Sequence, residues 1–194
     1  MARPREFDED AALEAATQRF WSNGYEATSM RDLADHTGMT TPSLYNAFGD
    51  KRAIYRLVLD RYVRLTLEAG SAILEGDDPP LRALERYFDA LIEEALADRL
   101  RKGCFAVNTG LELAHDQDFR DVVIGAFGEV ERSVRACVAT GQRDGSIATS
   151  QPAADIARLA LCIVLGLRVL ARTNPDRKLL TGVVRPFFVL LGTR

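Results

Sequence analysis

The chain has 194 residues, of which 47% are hydrophobic and 27% charged, and its formal net charge at pH 7 is −3. This composition is typical of a globular protein and excludes a disordered chain, and the length suffices for one large domain or two smaller ones. Residues 1–12 are charged where a secretion signal would be apolar, so we expect a cytoplasmic protein. The three cysteines, Cys104, Cys137 and Cys162, lack metal-ligand spacing, and we expect neither a disulfide framework nor a metal or other cofactor.

The first predicted helix covers about residues 8–23 and ends at Gly24, and two short helices joined by a glycine turn follow it. Ser29 can cap the first of these two helices, and Gly38 can take the left-handed conformation that ends it. Thr40 can cap the second, with Pro42 in its first turn. This arrangement is typical of a helix-turn-helix.

The second short helix has an unusual outward face. Leu44, Ala47 and Phe48 share one arc at helical spacing, and the four residues predicted to face outward are Pro42, Ser43, Tyr45 and Asn46. A solvated helix face normally carries charges, whereas hydroxyls, an amide and an aromatic ring can meet base edges and phosphates in the major groove. The alternative is a three-helix unit used only for packing or partner contact.

Basic residues are not concentrated in this part of the chain, since residues 1–64 contain nine basic and ten acidic side chains. A nucleic-acid footprint must therefore be local. The basic residues placed to meet a phosphate backbone are Arg3, Arg5, Arg31, Lys51 and Arg52.

A long helix capped by Asp50 comes next and fades near Gly76, before the break at residues 77–80. Its predicted buried stripe consists of Ile54, Leu57, Val58, Tyr62 and Leu65. We predict a DNA-binding domain over residues 1–50, a linking helix over about 50–75, and a helical C-terminal domain within 51–194.

Five further helices are predicted, over about residues 81–99, 103–114, 117–143, 152–173 and 176–191, and no convincing strand appears. The expected fold class is therefore all-α. Every residue from Leu159 to Leu167 is apolar or glycine, and the run between Arg158 and Arg168 is too short to span a membrane. Such a helix is expected to be covered partly by its own chain and partly by another.

The chain resembles the TetR family of transcriptional regulators. The resemblance rests on residues 20–25, the pair Thr28-Ser29, the motif Ser43-Leu44-Tyr45 and residues 48–51, in order and at family spacing. It implies an N-terminal three-helix DNA-binding domain and a C-terminal ligand-binding and dimerisation domain. It also implies a repressor that binds a palindromic double-stranded operator as a homodimer and is released by a small-molecule effector.

The resemblance, taken with the helix faces, assigns residues to three sites. The expected DNA-binding residues are Thr28, Ser29, Arg31, Thr40, Thr41, Pro42, Ser43, Tyr45, Asn46 and Lys51. The expected ligand-binding residues are Phe88, Leu91, Cys104, Phe105, Asn108, Thr109, Leu111 and Phe127. The expected dimer interface contains Leu161, Leu165, Gly166, Val169, Val184, Phe187 and Phe188.

Two further groups of residues allow a chemical and a packing interpretation. Cys104 lies at a predicted helix start beside Arg101 and Lys102, where a thiolate would be stabilised, so it is a candidate sensor of oxidants or electrophiles. The alternative is that Cys104 is a packed core residue. That packed role is the one expected for Cys137 and Cys162. A second group could hold a metal but is better explained by helix ends, and consists of Glu112, His115, Asp116 and Asp118.

The rival function is a small helical enzyme or an interaction adaptor without DNA binding. The sequence has no phosphate-cradling glycine loop, no nucleophile elbow and only two histidines. We therefore expect a regulator that is not an enzyme.

Overall fold

A computed structural model of the chain describes residues 8–192, which form nine α-helices and no strand. The helices are α1 Glu9–Asn23, α2 Met30–Thr37, α3 Thr41–Phe48, α4 Lys51–Leu74, α5 Pro80–Ala97, α6 Phe105–Glu112, α7 Gln117–Asp144, α8 Ala153–Thr173 and α9 Arg177–Leu190. The all-α class is confirmed, and the predicted elements are all present within a few residues of their expected bounds. Arg3 and Arg5 lie outside the described residues.

Side-chain caps define the helix-turn-helix, as the sequence predicts. The Ser29 hydroxyl accepts from the Asp32 amide while the Asp32 carboxylate accepts from the Ser29 amide, a reciprocal capping box. Gly38 has a φ of 69°, the left-handed conformation that ends α2, and Thr40 accepts from the Ser43 amide at the start of α3. The orientation of α3 relative to α2 is thus fixed by local hydrogen bonds.

The core beneath the N-terminal helices also contains residues from far along the chain. We call this cluster the N-terminal core; its largest members from α1–α4 are Phe20, Leu33, Leu44, Ile54, Tyr55 and Leu59. Phe105 of α6, Leu113 and Phe119 of α7 complete it, each no more than 2% exposed. The rings of Phe105 and Phe119 lie 5.3 and 5.2 Å from that of Tyr55, both edge-on.

A second cluster, the C-terminal core, joins α5, α7, α8 and α9. Phe88 is fully buried there, with its ring 5.3 Å from that of Phe187. α4 contributes to both clusters, with Tyr55 in the N-terminal core and Leu74 in the C-terminal core. The division at residue 50 stays a prediction, because this helix is continuous between the two clusters.

Several inward-facing predictions were wrong. Leu57 and Leu65 of α4 are 43% and 45% exposed, because α1, α6 and α7 contact the neighbouring face that carries Tyr55 and Leu59. Ala47 is exposed at the end of α3, and Cys162 is exposed on α8. The periodic pattern gave the apolar residues of each helix but not the rotation that packing selects. No helix within residues 8–192 is long and apolar enough to cross a membrane.

Candidate nucleic-acid interface and internal cavity

The outward face of α3 is exposed and uncharged. Leu44 is 1% exposed and anchors the helix in the N-terminal core, whereas Tyr45 is 51% exposed and Pro42, Ser43 and Asn46 are open to solvent. Thr41 is half-buried beside them. The face therefore offers two hydroxyls, an amide and a phenol for contact, and it requires no charged group to be desolvated.

The predicted phosphate contacts differ in availability. Ser29, Arg31 and Thr40 are exposed at the edge of the α3 face. The ammonium of Lys51 is half-buried, donates to the Tyr25 carbonyl at 3.1 Å and lies 4.1 Å from the centre of the Tyr25 ring. These contacts hold Lys51 at the start of α4 and leave it further N–H donors.

Within residues 8–192, Thr28 is the one predicted phosphate contact that is buried in the free protein. Thr28 is only 1% exposed, and its hydroxyl donates to the Gly24 carbonyl at 2.7 Å. The hydroxyl thus stabilises the turn between α1 and α2, because it donates a hydrogen bond to a backbone carbonyl that would otherwise lack one.

An internal cavity of about 310 Å³ lies between α4, α5, α6, α7 and α8. Most of its wall is apolar, with Ile73, Leu74, Leu91, Phe127, Val130 and Val164 among the lining residues. Its main polar groups are Tyr62, Tyr87, Glu94, Cys104 and Arg168. Its volume is at the lower end of the roughly 300–1,000 Å³ typical of small-molecule sites.

Three of the eight predicted ligand-binding residues line this cavity: Leu91, Cys104 and Phe127. Phe88 and Phe105 are instead closed into the C-terminal and N-terminal cores. The Thr109 hydroxyl is buried and lies 2.8 Å from the Tyr55 hydroxyl. These residues lie outside the cavity because α6 turns its central face, with Phe105 and Thr109, towards α4 and α1, and because Phe88 of α5 packs on Phe187 of α9.

Asn108 and Leu111 also lie outside the 310 Å³ cavity. They border a separate depression of about 350 Å³ against α1, with Trp21 and Arg172 among its walls. Leu111 is 75% exposed, and the Asn108 amide is occupied by the Lys102 carbonyl and the Arg172 guanidinium, at 2.9 and 2.8 Å. This depression is more polar in its lining than the internal cavity and lacks its apolar enclosure.

Sequence reasoning missed the charged and phenolic groups of the internal cavity. Arg168 donates to Glu94 at 2.8 Å, and both side chains face the cavity. Burial opposes the charge of Arg168, but the hydrogen bond and charge of Glu94 outweigh burial and raise the pKa of the guanidinium above its ordinary value. Burial raises the pKa of Tyr87 to about 12 and that of Tyr62 well above its usual range, so both phenols remain protonated donors at neutral pH.

α6 connects the cavity to the helix-turn-helix. Cys104 directly precedes its first turn and lines the cavity, where the Tyr62 hydroxyl donates to the thiol sulfur at 3.5 Å. At the other end the Glu112 carboxylate accepts from the Tyr25 and Glu26 amides, at 3.0 and 2.9 Å, in the turn between α1 and α2. A ligand in the cavity that displaced α6 would therefore also displace the turn between α1 and α2.

The acidic cluster near the end of α6 is occupied by protein partners. Asp116 caps α7 and, with Asp118, pairs with Arg52 of α4, while Glu112 is held by the two backbone amides. Within the described part of the chain no group of three or more candidate ligands could hold a metal ion. The helix-end interpretation fits Asp116, which caps α7, and Asp118 in its first turn, whereas Glu112 is held by the turn between α1 and α2.

The Arg52–Asp116 ion pair should make the free energy of unfolding depend on pH. The Arg52 hydrogen bonds, with those from the Phe119 and Asp118 amides, hold the pKa of Asp116 at about 2, below its ordinary 3.8. Because the folded pKa is the lower one, the stabilisation is present above about pH 4 and is lost as the pH falls towards 2. We expect Asp116→Asn to reduce the slope of unfolding free energy against pH in that window, measured by urea denaturation.

Asp116→Asn should reduce but not abolish this pH dependence, because the Ser29 hydroxyl and amide also lower the pKa of Asp32 to about 2. Asp121→Asn on the same helix is the control, because Asp121 bonds only to Gln117 within residues 8–192. Equal slopes for Asp116→Asn and Asp121→Asn would show that the Arg52 pair contributes nothing to acid sensitivity.

The outer faces of α8 and α9 carry a largely apolar seam. On α8 it consists of Leu159, Cys162, Gly166 and Val169, spaced three and four residues apart. On α9 it consists of Gly182, Pro186 and Val189, with the exposed Arg185 at its edge. A Cβ added at Gly166 or Gly182 would meet nothing within 4 Å, so both glycines border open space. This spacing is that of helices that pack along their length against others.

Two of the seven predicted interface residues, Gly166 and Val169, lie on this seam. Val184 and Phe187 are 5% and 2% exposed inside the C-terminal core, and Phe188 packs against it. Leu161 and Leu165 line the internal cavity. The prediction treated α8 as apolar all round, whereas the structure divides its circumference among the core, the cavity and the seam.

Comparison with known proteins agrees with this architecture. Residues 12–58 match the family described as bacterial regulatory proteins, tetR family, and residues 80–187 match the tetracyclin repressor-like C-terminal domain. The chain belongs to the TetR family. It is therefore a ligand-responsive DNA-binding transcriptional regulator, as the sequence predicts.

The TetR family relatives include two repressors of Escherichia coli strain K12. The HTH-type transcriptional repressor ComR is 33% identical over 172 residues, covering 88% of this chain and 82% of ComR. The HTH-type transcriptional repressor BdcR is 31% identical, covering 68% of this chain and 66% of BdcR. Among solved structures, a cysteine mutant of the TetR family regulator CifR with 26-bp operator DNA has a TM-score of 0.84 at 29% identity, over 96% of this chain and 98% of CifR.

Proposed function

We propose that this TetR family protein is a homodimeric repressor that places α3 of each copy in the major groove of a palindromic operator. The observation that carries this proposal is the exposed, uncharged face of α3, fixed in orientation by the caps at Ser29 and Thr40. ComR and BdcR, to which the chain is similar, are both named repressors. CifR was solved with its operator, which supports the same mode of contact here.

Release from DNA would follow from occupation of the internal cavity. A ligand that fits the cavity better in one position of α6 shifts the population towards that position. Since Glu112 ties α6 to the turn between α1 and α2, the two α3 helices would then lose the separation that the operator requires. Two half-sites of such an operator lie roughly 34–36 Å apart, or a multiple of it.

A gel-shift assay with DNA from upstream of the protein's own gene tests this function. We expect a complex with one dimer per operator, and we expect an equal length of unrelated DNA to compete poorly. Absence of a complex at low salt would contradict the proposal and would favour the alternative of a helical enzyme or adaptor. A repressor of this kind acts in the cytoplasm on the chromosome, and the proposed mechanism involves no catalytic step.

Cys104 is proposed as a thiol through which an oxidant or electrophile releases the operator. It lines the cavity at the start of α6, next to the Tyr62 hydroxyl, so a group added to its sulfur would occupy the cavity and press on α6. We expect Cys104→Ala to bind operator normally but to remain bound after treatment with hypochlorite or a quinone, measured by gel shift.

Cys137→Ala is the control, because Cys137 lies in the C-terminal core and burial raises the pKa of its thiol to about 11. This variant should release DNA like the wild type. If Cys104→Ala releases operator DNA as readily as the wild type does, the thiol is not the sensor and the cavity binds its effector reversibly.

A further inference from the structure

Arg168 is a buried cation whose hydrogen-bonding capacity is largely unused. The residue is 6% exposed, and a guanidinium has five N–H donors. Within residues 8–192 its side chain has one hydrogen-bonded acceptor, the Glu94 carboxylate oxygen at 2.8 Å. Arg168 lines the internal cavity. Burial of a charged group is costly unless acceptors surround it, so this geometry leaves room for another acceptor.

Glu94 is able to give up its position. Its side chain is 52% exposed, whereas that of Arg168 is 7% exposed, so the carboxylate can turn into water while the guanidinium cannot. Removal of Glu94 would leave the only buried cation of the cavity wall without a counter-charge. A ligand that supplied an anionic group would restore the balance.

A phenol extends the polar end of the cavity. Tyr87 is 6% exposed and lines the cavity, and its hydroxyl has no hydrogen-bond partner among the described residues. The hydroxyl is a neutral donor, and it lies near enough to Arg168 to interact with the charge of the guanidinium. A planar anion with two oxygens could accept from Arg168 in the fork geometry that a guanidinium favours and could also accept from the Tyr87 hydroxyl.

We propose that the effector is a small amphipathic monocarboxylate, whose anionic group replaces Glu94 at Arg168 and whose apolar part fills the cavity between Phe127, Val130 and Ile73. This inference rests on the proposed function, since it names the chemical class of ligand for the same cavity. One cation in an apolar enclosure balances one negative charge, so a phosphate dianion is disfavoured. A ligand amine would place a second cation beside Arg168, where the single carboxylate of Glu94 is already paired with the guanidinium. A neutral alcohol would gain no hydrogen bond between opposite charges.

The test uses three probes with the same apolar chain: octanoate, 1-octanol and octylamine. Binding to the full chain is measured by isothermal titration and by the shift in melting temperature. We expect octanoate to bind and to raise the melting temperature, octanol to bind more weakly, and octylamine not to bind. Phenylpropanoate, which joins the same anionic group to an apolar ring, should also bind.

Three variants assign the contact. Arg168→Met should weaken octanoate binding roughly 10- to 100-fold, the factor expected from loss of hydrogen bonds to a charged group. Glu94→Gln should instead tighten it about tenfold, because the ligand no longer has to displace a charged acceptor. Arg158→Met is the matched control on the same helix, where Arg158 is exposed and pairs with Asp155 and Glu131 outside the cavity; octanoate affinity should not change.

Two outcomes would overturn the inference: equal affinity for octanoate and octanol, or unchanged or weaker octanoate binding in Glu94→Gln. The second variant keeps the test decisive if Arg168→Met does not fold, since Glu94 is half-exposed. If operator DNA binds in the gel shift but no carboxylate binds to the protein, the proposed function stands and the ligand class is wrong. If octanoate binds as predicted but the protein forms no DNA complex, the proposed function fails and the site remains.

Discussion

Replacing Val169 by aspartate is expected to convert the protein to a monomer and to abolish operator binding. Val169 is 48% exposed and lies on the seam of α8 with Leu159 and Gly166, between Arg158 and the charged end of the helix. In a two-fold dimer a residue of this seam meets the seam of the second copy, so two carboxylates would be buried near one another. Because one half-site offers half of the DNA contacts, the monomer should bind operator too weakly to be detected in a gel shift.

Light scattering with size-exclusion chromatography measures the change in mass. Ile124→Asp is the matched control: Ile124 is 60% exposed on α7 and is also β-branched, but it lies outside the seam. This variant should remain a dimer and bind DNA. A dimeric Val169→Asp protein, or a monomeric wild type at micromolar concentration, would remove α8 and α9 as the interface and with it the two-half-site operator.

Tyr45→Ala should weaken operator binding roughly tenfold, towards the lower end of the ~1–3 kcal/mol that good base contacts are worth. The side chain is 51% exposed on α3 and makes no contact in the N-terminal core, so its removal should leave the melting temperature and the dimer unchanged. Binding to unrelated DNA should change little, because a groove contact distinguishes sequences. Unchanged operator affinity in a gel shift would show that this face does not enter the groove.

Lys51→Ala provides the contrast. Loss of a phosphate contact should weaken operator and unrelated DNA alike and reduce the salt dependence of binding by about one unit of slope. Lys51 also contacts the Tyr25 carbonyl and ring, so a small fall in melting temperature accompanies the loss. A variant that lost only operator binding would mean that Lys51 reads sequence rather than backbone.

Local signals made the helix-turn-helix predictable. Ser29, Gly38, Thr40 and Asp50 act within three residues of their own positions, so the sequence alone determines where these helices begin and end. The uncharged face of α3 could be recognised for the same reason, since Leu44 alone settles which side of so short a helix is buried. The burial of Thr28 could not be predicted, because its partner, the Gly24 carbonyl, comes within reach only once the turn has folded.

The cavity was much less predictable, since its lining depends on how five helices rotate against one another. α4 supplies a large part of the wall, including Tyr62, yet its apolar pattern is equally compatible with a solid core. Arg168 had a weak signal, a charge at the end of a long apolar run, and from the sequence it indicated only that the run is too short to span a membrane. Its partner Glu94 is 74 residues away, a separation that no local pattern reports.

The N-terminal core has a consequence for how members of this family could exchange parts. Phe105, Leu113 and Phe119 seal the underside of the DNA-binding helices although they follow α5 in the chain. A chimera that joined residues 1–50 to the effector domain of a relative would set foreign side chains against Phe20 and Leu33 and would leave Glu112's two amide partners without an acceptor. Operator choice and effector choice are thus not freely interchangeable modules, and a successful graft must carry α6 and the first turn of α7 along with the helices that read DNA.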